Sequence, residues 1–191
     1  MSPKKPGRLL IFTAPSGAGK TTLVRHLLGK FDHLGFSVSA TTRPPRAHEV
    51  HGRDYYFMSD DEFRLRADRG EFVEWEEVYP GRFYGTLHSE IERIIEEGHV
   101  VLFDIEVKGA TTLKRHYPDH STAVFVAPPS PEVLFARLRG RRTEDPESLR
   151  VRIARAEEEL AYRDRFDRVL VNDDLAVALA EAEDIVSQLN H

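Results

Sequence analysis

The segment Arg8-Leu-Leu-Ile-Phe-Thr13 is apolar at four consecutive positions, the pattern of a short strand buried on both faces. A glycine-rich stretch follows, and Thr22-Leu-Val-Arg-His-Leu-Leu28 then sets leucines at helical spacing up to Gly29. Strand, tight loop and helix in that order open a parallel α/β unit. Further runs of the buried-strand type occupy residues 100–105, 122–127 and 168–171. Helices are predicted over 89–97, where Gly98 stops the pattern, and over 109–117. Ser130-Pro131 reads as an N-cap followed by proline at the first helical position. After the last strand, an Ala/Leu/Val-periodic helix is predicted from about 174 to 189.

Residues 37–87 break this rhythm. Short aromatic-rich strands are predicted at 54–57, 71–76 and 82–85, with one helix opened by the capping box Ser59-Asp-Asp-Glu62. A small, mainly antiparallel lobe inserted into the parallel core is expected. Residues 137–165 form a second insertion, helical and crowded with arginine. The predicted fold is a single α/β domain with a helix-flanked parallel sheet. Its core comprises about 1–36, 88–136 and 166–191, with a mixed α/β lobe at 37–87 and a helical segment at 137–165.

Composition narrows the class. The chain has 191 residues, 40% of them hydrophobic, which suits one compact core. A net charge of -5 argues against a general nucleic-acid binder, and the lack of cysteine excludes disulfides and thiolate metal sites. The N-terminal Met-Ser-Pro-Lys-Lys-Pro-Gly is too short and polar for a signal peptide. No apolar run approaches the roughly 20 residues that span a bilayer. A cytoplasmic enzyme with no membrane and no nucleic-acid partner is expected.

Gly17, Gly19, Lys20 and Thr21 fit the end of G-x-x-x-x-G-K-[ST], with Ala14 at the first glycine. Glycines let backbone N–H groups turn inward and cradle an anion at a helix N-terminus. The pattern assigns nucleoside-triphosphate phosphates to Pro15, Ser16, Gly17, Ala18, Gly19, Lys20, Thr21 and Thr22. Lys20 would reach the β- and γ-phosphates, and the Thr21 hydroxyl can ligate Mg²⁺. Alanine at position 14 costs little if φ is negative there. Asp104 lies near the end of a buried strand, the end that faces the ligand crevice of an open α/β sheet. It is expected to serve Mg²⁺ through water, the alternative being a helix cap.

The acceptor is narrowed by Ser37-Val-Ser-Ala-Thr-Thr-Arg-Pro-Pro-Arg-Ala-His-Glu-Val-His-Gly-Arg-Asp-Tyr-Tyr-Phe57. Prolines stiffen the loop that carries Arg43 and Arg46, and paired arginines can hold a phosphate dianion. With Phe72-Val-Glu-Trp75, Tyr84-Gly-Thr86, Asp104-Ile-Glu106 and Val171-Asn-Asp-Asp-Leu175, this segment resembles the guanylate kinase family over about residues 8–189. The resemblance implies transfer of the γ-phosphoryl of ATP to GMP with Mg²⁺, a GMP-binding lobe and a mobile lid. It implies Arg43, Arg46, Tyr55 and Tyr84 on the GMP phosphate, and Ser39, Glu74 and Thr86 in the guanine pocket with Glu106 close by. Thr86 stands where the family often has serine, and Glu106 where aspartate is common. Glu74 makes chemical sense as the base selector, because guanine presents N1–H and N2–H side by side and adenine does not.

The lid implied by the resemblance contains Arg137-Leu-Arg-Gly-Arg-Arg142 and Arg150-Val-Arg152. Arg141 and Arg152 are its candidates for charge stabilisation alongside Lys20 and Arg43, while Arg137, Asn172 and Asp173 are placed near the adenosine of ATP. Arg139, Arg150 and Arg155 are expected on a solvated face, paired with nearby acidic residues. Three other functions are compatible with a phosphate loop: a kinase for a ribosyl phosphate, a non-catalytic interaction module of the same fold, and a nucleic-acid-binding ATPase that uses the arginine cluster. The Glu74, Tyr55 and Tyr84 set, the retained Lys20, and the negative net charge weigh against them in turn.

Overall fold

The computed structural model describes residues 7–140 and 146–189. Its core is a five-stranded parallel sheet in the order β2-β7-β1-β8-β9. These strands are β1 (Leu9–Thr13), β2 (Leu34–Phe36), β7 (Val100–Ile105), β8 (Ser121–Ala127) and β9 (Arg168–Val171). β1 is buried at all five positions, which is why its sequence reads as an apolar run rather than an alternation. Helices cover both faces. On one, α1 (Lys20–Lys30), α5 (Pro131–Arg139), α6 (Pro146–Leu160) and α7 (Leu175–Gln188) enclose a cluster that includes Leu10, Phe12, Leu23, Leu27, Leu134 and Ala182. On the other, α3 (His88–Glu96) and α4 (Val107–His116) pack over Leu9, Ile11, Val101 and Phe103.

The pattern of apolar residues located these elements to within a few residues, with two differences. Helix α1 passes through Gly29 and ends one residue later, because Leu23, Val24 and Leu27 already secure its buried face. Strand β2 has no counterpart in the sequence reading: three residues with a central glycine carry no periodicity, and the strand exists because β7 pairs with it.

A second sheet of four strands runs in the order β4-β3-β6-β5. It comprises β3 (Ala40–Thr41), β4 (Tyr56–Phe57), β5 (Phe72–Tyr79) and β6 (Arg82–Leu87), with β3 and β4 parallel and the other pairs antiparallel. Helix α2 (Asp60–Asp68) starts where Ser59 accepts a hydrogen bond from the Glu62 N–H at 3.1 Å, one half of the capping box read from sequence. It sends Phe63 into the small core of this unit, stacked on Phe72 with ring centroids 4.5 Å apart. Phe63→Ala is expected to cost about 3–5 kcal/mol, read as a lowered thermal midpoint.

The β5–β6 ladder is broken by a register shift between Phe72 and Glu74. Strict alternation would put Phe72 and Glu74 on one face. Instead Phe72 and Trp75 both contact the Phe63 ring, while Val73 joins the cluster under the parallel sheet. The bulge therefore turns Glu74 away from the small aromatic core and towards α4, the re-aiming that such irregularities produce. No described helix is long and apolar enough to cross a membrane.

Candidate active site

A broad cleft opens at the carboxyl ends of β1 and β7, between the phosphate loop and the second sheet. Its walls include Gly17, Lys20, Thr21, Arg46, Tyr55, Glu74, Tyr84, Asp104 and Gly109. This is the crevice where parallel α/β sheets bind ligands.

The loop is shaped by glycine at two points. Gly17 and Gly19 both have φ of 93°, a conformation side chains rarely adopt. Gly19 is constrained a second time, since a Cβ there would lie 2.3 Å from the Asn172 side-chain nitrogen. That nitrogen donates to the Ala18 carbonyl at 2.8 Å. Asn172, expected on adenine, uses one of its two amide N–H donors to hold the loop in shape, while the neighbouring Asp173 is exposed. No described non-glycine residue has positive φ, so alanine at position 14 is accommodated without strain. Helix α1 begins at Lys20 with no side-chain cap on its first N–H groups, leaving its positive end towards the cleft.

Lys20, Thr21 and Asp104 meet there. The Lys20 Nζ lies 2.8 Å from Asp104 Oδ1 and donates to the Ile105 carbonyl at 2.6 Å. Thr21 Oγ1 donates to Asp104 Oδ2 at 2.8 Å. Burial works against the Lys20 ammonium, but Asp104 and Glu106 hold its pKa above the ordinary value. Burial likewise opposes the Asp104 carboxylate, yet the Lys20 charge and the hydrogen bonds from Lys20 and Thr21 keep its pKa low. A hydroxyl and a carboxylate side by side are hard oxygen donors of the kind Mg²⁺ takes. Among the described residues no group of three or more His, Cys, Asp or Glu side chains could hold a metal by itself.

On the opposite wall, Tyr55 and Tyr84 meet edge to face at 6.0 Å, with the Arg43 guanidinium 5.1 Å from the Tyr55 ring centre. Arg43 is clamped by Glu49, a residue the sequence reading did not single out. Its Nη1 and Nη2 donate to the two Glu49 oxygens at 2.8 and 2.9 Å, and Nη1 also donates to the Pro44 carbonyl. Those Arg43 hydrogen bonds, with one from the Arg46 N–H, hold the Glu49 carboxyl down at about 2. The Arg46 side chain itself is largely exposed.

Glu74 lies directly across the ladder from Thr86, whose hydroxyl donates to its Oε1 at 2.6 Å. Burial pushes the Glu74 carboxyl up to about 7, against the Thr86 bond. Ser39 lines the same cleft. Glu106 stands at the N-cap position of α4 without a capping hydrogen bond from its side chain, and faces Arg155 at 3.7 Å.

The arginine-rich segment divides. Arg152 donates to Ser16 Oγ at 2.8 Å, joining α6 to the phosphate loop, and Arg137 donates to the Asn172 carbonyl at 3.3 Å. Arg141 lies outside the described residues. Arg139 and Arg150 are exposed, as read from sequence. Arg155 is not on a solvated face: it is mostly buried, donating to Glu159 at 2.8 Å and to the Val78 carbonyl of β5, with Glu76 and Glu106 close. Its partner Glu159 is buried with it, and burial and the Glu106 charge raise its carboxyl well above the ordinary range. The sequence concealed this because β5 reaches α6 only in the folded chain, 77 residues apart.

The family model for guanylate kinase matches residues 6–189. The chain belongs to the guanylate kinase family. A guanylate kinase from Bacteroides thetaiotaomicron is 47% identical over 182 residues, covering 95% of this chain and 89% of that protein. One from Salinibacter ruber is 52% identical over 173 residues, covering 91% of this chain and 92% of its own length. The crystal structure of guanylate kinase from Anaplasma phagocytophilum superposes with a TM-score of 0.75 at 30% identity, across 98% of this chain and 86% of that one. For this guanylate kinase family member the α/β fold with a helix-flanked parallel sheet is shared with its relatives, and the cleft lies between the phosphate loop and the second sheet.

Proposed function

We propose that this protein transfers the γ-phosphoryl group of ATP to GMP, giving ADP and GDP, with the phosphate loop as donor site and the second sheet as acceptor site. The observation that carries this reading is the buried Glu74 carboxylate. It faces the same cleft as Lys20 and can accept both the N1–H and N2–H of guanine.

Phosphoryl transfer asks the protein for positioning and charge more than for covalent chemistry. The backbone N–H groups at the start of α1 and the Lys20 ammonium cradle the triphosphate, which replaces the carboxylate as the lysine's partner. Mg²⁺ would be held by Thr21 and, through water, by Asp104, and supplies neutralising charge to the β- and γ-phosphates. Arg43, Tyr55, Tyr84 and Arg46 hold the acceptor phosphate. Arg43 can do so while clamped, because Glu49 and Pro44 take three of its five N–H groups, and with Tyr84 as a further partner one donor remains for another anion. Arg152 reaches the loop from α6 and would stabilise the charge on the transferring group, the role that the family resemblance also gives to Arg141. Arg137 and Asp173 lie on the adenosine side, with Asn172 shaping the loop. The proposed division follows: core 1–36, 88–136 and 166–191, acceptor lobe 37–87, lid 137–165.

Incubation with GMP, Mg²⁺ and ATP labelled at the γ-phosphate is expected to place the label in the β-position of GDP. Label recovered only as inorganic phosphate would overturn the reading in favour of an ATPase. No release from ATP with GMP present would favour a non-catalytic module.

A further inference from the structure

Gly109 is the third residue of helix α4 and is buried against β5. Its backbone is ordinary helix, so no conformational demand calls for glycine there, and glycine is among the least favourable residues a helix can carry. The reason for it lies across the interface. A Cβ at this position would stand 2.7 Å from Glu74 Oε2 and 3.2 Å from Glu74 Cδ, whereas its next neighbour, Ile105 Cδ1, is at an ordinary 3.6 Å. The missing methyl group is thus the space into which one side chain, the Glu74 carboxylate, is set. The other oxygen of that carboxylate is fixed by the Thr86 hydroxyl at 2.6 Å. The bulge in β5 brings Glu74 to this face, Thr86 holds it from β6, and the bare backbone of α4 sets how deep it sits.

We propose that Gly109 is a positioning residue for acceptor selection: by leaving no Cβ, it lets Glu74 present both oxygens to a purine carrying two adjacent N–H donors. This rests on Glu74 being the base reader. An added methyl group would displace the carboxylate, the flexible end of the contact, rather than the helix. It would misalign two hydrogen bonds at once while leaving the phosphate loop untouched.

The test is a double-mutant cycle of Gly109→Ala with Glu74→Ala, reading KM and kcat for GMP, KM for ATP, and the thermal midpoint. Gly109→Ala is expected to raise the GMP KM at least about tenfold, the loss of one misaligned charge-assisted hydrogen bond, with the ATP KM unchanged. Its thermal midpoint should equal or exceed the unmodified protein's, since alanine favours the helix. In the Glu74→Ala background, adding Gly109→Ala should move the GMP KM by less than about twofold, since the group it acts through is gone. The proposal is overturned by an unchanged GMP KM in Gly109→Ala while Glu74→Ala raises it. A penalty that persists undiminished without Glu74, or a midpoint lowered by several degrees, would overturn it too, because the helix would then have yielded instead. An unchanged GMP KM in Glu74→Ala would overturn the reading of Glu74 itself, and the role of Gly109 with it.

Discussion

Replacing Lys20 by methionine is expected to lower kcat by about a thousandfold, the upper range for removing one preorganised charge donor from a phosphoryl or oxyanion site. Methionine keeps the length of the side chain and removes only the ammonium. The same change should destabilise the unliganded protein. Lys20 and Asp104 are 12% and 15% exposed, so Asp104 would remain as a mostly buried charge supported only by the Thr21 hydrogen bond and the Arg25 charge. Breaking a buried pair from one side typically costs about 3–5 kcal/mol, with some relief here if Asp104 takes up a proton. The pH dependence has a definite sign. Asp104 has a lowered pKa when folded, so its pairing stabilises the protein above the ordinary carboxylate value and that contribution is lost as pH falls. The deficit of the variant should therefore be full at neutral pH and shrink in acid. A kcat within about tenfold of the unmodified protein would contradict the place given to Lys20.

Glu74→Gln should separate stability from selectivity. The amide keeps an acceptor for the Thr86 hydroxyl but presents N–H where guanine also presents N–H. A fall of about a hundredfold in kcat/KM for GMP is expected, the scale of a charged hydrogen bond lost and an unpaired donor left behind. In the unmodified protein burial holds the Glu74 carboxyl near 7. Because GMP requires the ionised form, its KM should fall as pH rises through that value. The acceptor phosphate titrates near about 6 in its own right, so the diagnostic quantity is the part of the pH profile that Glu74→Gln abolishes. Stability moves the other way. A carboxyl whose pKa is raised by folding favours the fold below its unfolded value and loses that advantage as pH rises through about 7. Unliganded Glu74→Gln should thus be more stable than the unmodified protein by about 3 kcal/mol at pH 8, with the gap closing towards pH 5. An equal midpoint at both pH values would contradict the buried charge.

The parts of this molecule that were legible in its sequence are those whose cause is local. Strands β1, β7 and β8 are buried on both faces and so appear as apolar runs, and Ser59 and Ser130 announce their helices by capping them. Lys20 and Thr21 are bound to the glycines beside them by the geometry of one turn. What the sequence hid is made by contacts distant along the chain. Asn172 reaches a loop 154 residues away, and Arg155 joins a strand that only folding brings to it. Strand β2 is defined by pairing, and Glu49 differs in no local way from the other acidic residues around it. The bulge at β5 is the most consequential of these. A period-two reading of Phe72-Val-Glu-Trp75 sends Glu74 into the aromatic core of the second sheet, and a one-residue irregularity sends it to the cleft instead. The resemblance to a family located the residue, but the direction in which it points comes from the fold.

The central claim is that the second sheet chooses guanine through Glu74 while the phosphate loop supplies ATP. Its most direct test is ADP release measured side by side with GMP, IMP, AMP, CMP, UMP and ribose 5-phosphate as acceptors. A site built around a hydrogen-bonded donor pair should favour GMP over AMP by at least about ten-thousandfold in kcat/KM, with IMP, which keeps N1–H and lacks N2–H, falling between them. Turnover of AMP or ribose 5-phosphate at a rate comparable to GMP would contradict the account.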